Sequence, residues 1–139
     1  MQPRNVALVG AALGAGFGAV GLIAPEPLMS LFGIPLDVAA TSLVHLVCAS
    51  YVGFGALNWA ARNLTDGEAW RVVAVGNATS WALSGAVAAI GLASGLGNSV
   101  AWVVVALQLV MTIAWLGVFA RSRRSDLGTS SLGLRDARP

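Results

Sequence analysis

Val6-Ala-Leu-Val-Gly-Ala-Ala-Leu-Gly-Ala-Gly-Phe-Gly-Ala-Val-Gly-Leu-Ile-Ala24 runs without a single Asp, Glu, Lys or Arg. A helix crosses a bilayer with roughly 20 apolar residues. Three further stretches meet that requirement, Val38–Ala61, Trp70–Ala93 and Val100–Ala120, and every charged residue lies outside all four except Arg71, the second residue of the third. In lipid only helices and closed barrels satisfy their own backbone, and these unbroken apolar runs lack the alternation of barrel strands. The sequence therefore predicts an all-α membrane protein. It is an up-down four-helix transmembrane bundle over residues 1–120, with a short outer interfacial segment and a basic cytoplasmic tail over 121–139. Arg4 ahead of the first span imitates a signal peptide, but Leu22 and Pro25 around Ala24 make a poor cleavage site, so the span is read as retained.

Composition agrees. Of 139 residues 57% are hydrophobic and 10% charged, with a mean hydropathy of +0.78. Soluble domains carry about 25% charged residues. That shortage excludes an ordinary soluble enzyme and a disordered regulator. The single cysteine excludes an internal disulfide or a Cys-rich metal site.

All eight basic residues are Arg. Arg4 precedes the first span, Arg62 and Arg71 flank the second connection, and Arg121, Arg123, Arg124, Arg135 and Arg138 follow the fourth span; the first and third connections have none. The positive-inside rule then places both termini in the cytoplasm. The scattered arginines lack interleaved aromatics and give no sign of nucleic-acid binding. Abundant Ala, Gly and Val with no Lys suggests a GC-rich bacterial genome and hence a bacterial inner membrane. Arg121, Arg123 and Arg124 read either as anionic-lipid contacts or as part of a docking tail.

Between Pro25 and Pro35 the residues Leu28, Met29, Leu31 and Phe32 form a candidate interfacial turn. Asp37 can cap the second span and Glu68 the third; Glu26 and Asp37 read as surface and cap rather than as a catalytic or Ca²⁺-binding pair. Asn63, Asp66 and Gly67 mark a turn. The short second and third connections make successive helices antiparallel neighbours. Trp59 and Trp70 fall at the inner interface and Trp102 at the outer, as an aromatic belt.

Lipid gives no hydrophobic gain for helix association, so close backbone approach must substitute. Gly10, Gly14 and Gly18 recur every four residues and form such a ridge, facing either their own bundle or a second copy. Polar residues inside a membrane are the natural place to look for function. Three stripes are predicted to face inward: His45, Val52 and Trp59, with Cys48, Tyr51 and Asn58 beside them; Asn77, Trp81, Ser84 and Ala88; and Gln108, Thr112, Trp115 and Phe119. At about 1.5 Å per residue, His45, Ser84 and Gln108 lie about 10 to 14 Å from the outer ends of their spans. They either bond to one another as interhelical glue or line an outward-facing pocket. The candidate ligand-binding set is His45, Tyr51, Trp81, Ser84 and Gln108.

No span holds a carboxylate, and the one charged residue within their bounds is Arg71 at the very start of the third, which argues against ion-coupled transport. P-loop, G-x-S-x-G, H-E-x-x-H and CxxC motifs are absent, so the chain is not read as an enzyme; no catalytic residue, metal site or cofactor is assigned. Gly21-Leu-Ile-Ala-Pro25, Leu31-Phe-Gly-Ile-Pro35 and Tyr51-Val-Gly-Phe-Gly-Ala-Leu-Asn-Trp59 resemble the small four-helix bacterial membrane proteins of the DoxX-like type. The resemblance covers about the first sixty residues by motif and the rest by topology. It implies association with membrane redox or thiol-stress complexes and transfers no catalytic residue. The leading expectation is an accessory or scaffold subunit with a membrane-protein partner or in a homo-oligomer. The alternative is a binder of a small hydrophobic ligand, such as a quinone, lipid or pigment, near His45.

Overall fold

A computed structural model of the chain describes residues 2–133, and side chains as far as Arg123. Within them lie helices α1 (Pro3–Ile23), α2 (Pro25–Leu31), α3 (Val38–Ala61), α4 (Gly67–Ala93) and α5 (Trp102–Gly133), with a 3₁₀ turn at Ser99–Ala101 before α5. No strand occurs among the described residues. Four helical stretches are long and apolar enough to cross a membrane: α1, α3, α4 and Ser99–Arg123. Of the arginines placed in the tail, Arg135 and Arg138 lie outside the described residues, as does the side chain of Arg124.

The ends of the helices follow local chemistry. Pro3 opens α1, where a missing N–H costs nothing. Asp37 caps α3 by accepting from the Ala40 N–H at 2.7 Å. At α4 the cap is Asp66 rather than Glu68: its carboxylate accepts from the N–H groups of Glu68 at 3.2 Å and Ala69 at 3.0 Å. The shorter side chain reaches back over the first turn, so α4 starts at Gly67, ahead of the expected Trp70. The candidate interfacial turn is the short helix α2, with Leu28 buried.

Two close pairs make up the bundle. α1 lies along α3 and α4 along α5, while α3 barely touches α4 and α1 meets α5 sparsely. The glycine ridge is the reason α1 and α3 fit. A Cβ added at Gly14 would stand 2.9 Å from the Tyr51 carbonyl oxygen, and one at Gly18 would stand 2.6 Å from that of Cys48. At Gly10 it would meet the Asn58 amide at 2.9 Å, so rising numbers on α1 meet falling numbers on α3. The Gly10, Gly14 and Gly18 face therefore packs within the chain.

That choice of face corrects the expectation for α3. The buried residues of α3 are Cys48, Gly55, Asn58 and Ala61, whereas His45 and Val52 are half-buried and Trp59 is 56% exposed. Only small or short side chains fit against a glycine ridge, and an indole does not. Trp59 instead lies beneath the Arg62 guanidinium, 3.9 Å from ring centroid to Cζ, and Arg62 also donates to the Trp59 carbonyl. Trp70, expected in the aromatic belt, is buried instead. It is only 6% exposed, and its indole N–H donates to the Leu64 carbonyl at 3.0 Å.

Trp70 joins Val6, Ala7, Ala61, Ala74, Ala78, Met111, Trp115 and Val118 in one cluster that ties the two pairs together near the Arg62 connection. Opposite, a loop clasp joins them. The Asn98 N–H donates to the Phe32 carbonyl at 2.7 Å and the Asn98 amide to that of Leu31 at 3.1 Å. Gly97 (φ +89°) permits this: a Cβ there would be 2.8 Å from the Phe32 oxygen. The space between the cluster and the clasp holds the candidate site.

Candidate functional site

A cleft of about 90 Å³ lies between the helix pairs, lined by Leu13 and Phe17 of α1, Tyr51 of α3, Trp81 of α4, and Val104, Leu107 and Gln108 of α5. A second cleft of about 230 Å³ shares Phe17 and Val104 and continues to Met29, Phe32 and Ile34 under the clasp. Aromatic rings form one wall. Phe17 and Tyr51 meet edge to face with centroids 5.6 Å apart, and Tyr51 and Trp81 are tilted at 6.4 Å.

Of the sequence-derived candidates, Tyr51, Trp81 and Gln108 come together here, and His45 and Ser84 do not line either cleft. The mutual bonding expected of His45, Ser84 and Gln108 is not formed. Gln108 is only 5% exposed, yet its Oε1 accepts no hydrogen bond. α3 turns Tyr51 toward the cleft, and His45, six residues earlier, falls on another side of the helix at 100° per residue. Gln108 instead stands against Gly85, where an added Cβ would lie 3.4 Å from its Oε1.

The interhelical bond that does form is deeper toward the Arg62 end. The Asn58 amide donates to the Asn77 Oδ1 at 2.9 Å, and the Asn77 amide donates to the Val73 carbonyl at 3.0 Å. Each asparagine is 1% exposed. This bond joins the sparsely touching α3 and α4, so a double-mutant cycle of Asn58→Ala and Asn77→Ala is expected to give a coupling of about 0.6 to 1.7 kcal/mol in detergent unfolding. Strictly additive losses would mean that the bond is not made.

Leu13, Phe17, Val104 and Leu107 were missed by attention to polar residues alone. Their signal was periodicity: Gly10, Leu13, Gly14 and Phe17 share one face of α1, as Val104, Leu107 and Gln108 do on α5. Among the described residues no three His, Cys, Asp or Glu side chains gather as a metal site would require.

Fold and cleft together define a small multi-pass helical-bundle membrane protein with an apolar, aromatic-walled cleft that has the Gln108 side chain in its lining. Comparison with family models, with curated proteins and with solved structures gives no match.

Proposed function

We propose that the protein binds a small hydrophobic ligand in the cleft between its two helix pairs. The observation that carries this reading is the apolar, aromatic-walled cleft itself, enclosed by all four long helices with Gln108 as the one amide side chain in its lining. Ligand sites typically combine apolar walls with a few placed polar groups. The reading keeps the alternative ligand chemistry of the sequence and moves its centre from His45 to Gln108. The chain sits in a bacterial inner membrane in up-down order, with α2 at the outer surface. Arg4, Arg62, Arg71 and Arg123 border grooves at one end of the bundle, which supports a cytoplasmic assignment for that end and for both termini.

The test is photolabelling in nanodiscs with an alkyl diazirine of about eight carbons, a body somewhat larger than the benzene that a cavity of ~150 Å³ accepts. Labelling is expected on peptides bearing Phe17, Trp81 and Val104, and Val104→Trp is expected to suppress it by filling the cleft. Even labelling of lipid-facing Val103, Leu109 and Ile113 in both proteins would defeat the proposal.

A second reading, an accessory or scaffold subunit of a larger membrane assembly of the DoxX-like type, is favoured by the free side of α3. Ala49, Gly53, Ala56 and Ala60 are exposed there at helical spacing, and nothing lies within 4 Å of a Cβ added at Gly53. Gly53→Leu is expected to release a co-purifying membrane protein or second copy under this reading; an unchanged assembly size on that substitution removes it.

A further inference from the structure

We infer that the groove between the start of α1 and the connection after α3 holds the headgroup of an anionic phospholipid, with its phosphate between Arg4 and Arg62. The site lies outside the cleft and does not depend on the ligand proposed there. The groove measures about 450 Å³, and its lining includes Gln2, Arg4, Arg62, Asn63 and Thr65. Two of these are cations, and no carboxylate lines it. Asp66, next along the chain, is committed elsewhere: both its oxygens accept from N–H groups of α4. The groove beside Arg71 and Arg123 differs, because Glu68 also lines it and offsets part of their charge. α1 opens at the first groove with no acidic residue in its first turn and no side-chain cap, which adds the positive end of its dipole.

The donors are placed and open. Arg62 is held by its stack on Trp59 and by one donation to the Trp59 carbonyl, and its planar fork leaves further N–H groups for an anion. Among the described residues the side chains of Gln2, Arg4, Asn63 and Thr65 have no hydrogen-bonding or ionic partner. Beneath them the buried Trp70 donates its indole N–H to the Leu64 carbonyl, which fixes the floor. Depth selects the source of the phosphate. The groove lies at the start of the α1 and α4 spans and at the end of the α3 span, the headgroup level of a bilayer that those spans cross. The exposed Trp59 indole under Arg62 marks the same level. Basic pockets between transmembrane helices take phosphate-bearing headgroups at that depth. Charge then selects among lipids. Phosphatidylethanolamine carries the same phosphate, but its ammonium would stand beside two guanidiniums with no carboxylate to pair with. Phosphatidylglycerol brings hydroxyls instead, which Gln2, Asn63 and Thr65 can bond.

The experiment is native mass spectrometry of the full chain released from phosphatidylcholine nanodiscs that contain phosphatidylglycerol and phosphatidylethanolamine in equal fractions. The measured quantity is the lipid retained per protein. Phosphatidylglycerol is expected to be retained in preference to phosphatidylethanolamine. Arg4→Gln is expected to lower its retention about fivefold, the factor that one arginine supplies against an anionic headgroup. Because Arg4 has no partner within the protein, its unfolding midpoint is expected to stay unchanged. Thr65→Val is expected to lower retention about threefold, as loss of one neutral hydrogen bond does. That substitution leaves the net charge untouched, so a diffuse attraction would not register it. Arg123→Gln, outside the groove, is expected to leave retention unchanged. Equal losses from Arg4→Gln and Arg123→Gln, with none from Thr65→Val, would overturn the site and leave only a charged collar. Full retention by Arg4→Gln would overturn it as well. Displacement of phosphatidylglycerol by inorganic phosphate at the same concentration would also overturn it, by making the groove a site for soluble anions.

Discussion

Gly18→Leu is expected to separate α1 from α3 and to cost about 3 kcal/mol or more of stability. A Cβ at position 18 would lie 2.6 Å from the Cys48 carbonyl oxygen and 2.9 Å from the Val52 nitrogen. Both are backbone atoms of a regular helix, so relief requires moving all of α3 rather than one rotamer. α3 has little else to hold it, because its contact with α4 is slight and α1 is its principal partner. Marginal folds hold only about 5–15 kcal/mol in all, so the loss is a large share of the whole. Gly16→Leu is the matched control. Nothing lies within 4 Å of a Cβ there, and its effect is expected to stay within about 0.5 kcal/mol. Detergent-denaturation midpoints of the two variants, compared with wild type, make the test. Indistinguishable midpoints would mean that the α1–α3 contact is not a backbone contact.

The same glycines show what sequence could and could not reveal. A four-residue repeat of Gly in an apolar helix has one physical use, close approach, and it was readable without a structure. Which face of α3 would answer it was not. Periodicity marks a stripe, but on a helix with polar residues scattered around its circumference several stripes compete. His45, Val52 and Trp59 read as an inward stripe because they recur every seven residues and carry the histidine and an indole. Size decided instead: Cys48, Val52 and Gly55 meet Gly14 and Gly18 while the Trp59 indole stays outside, and that rotation turned Tyr51 toward the cleft and took His45 away from it. On α5 a single stripe combined polarity with bulk, and Gln108 and Trp115 are buried as the pattern indicated. The four spans were legible because charge exclusion is a property of the chain. The Asn58–Asn77 bond depends on the relative rotation of two helices that hardly touch, and no local pattern encodes it.

Trp115 carries the other large expectation, and it comes with opposite signs for two substitutions. The side chain is fully buried in the cluster that joins the helix pairs, yet its indole N–H has no partner. Trp115→Ala removes the ring, leaves a cavity between Ala74, Met111 and Val118, and is expected to cost about 3–5 kcal/mol. In a bilayer that loss is one of dispersion contact, since lipid tails would solvate an exposed ring nearly as well as the protein does. Trp115→Phe keeps most of the packing and deletes an unsatisfied donor whose burial costs about 1–3 kcal/mol. The lost ring atoms and the relieved donor oppose each other, so this variant is expected to stay within about 1 kcal/mol of wild type. The separation between the two variants, at least about 2 kcal/mol in detergent unfolding, is the measured quantity. If Phe proved as damaging as Ala, the N–H would have to be making a bond that matters. The other unsatisfied buried atom of the asparagine pair, the Asn58 Oδ1, is an acceptor and would then be its natural counterpart through a shared water. Asn58→Ala on the Trp115→Phe background decides that case: a bridged pair would lose no further stability beyond the Asn77 bond, whereas two independent groups would lose the sum of their separate effects.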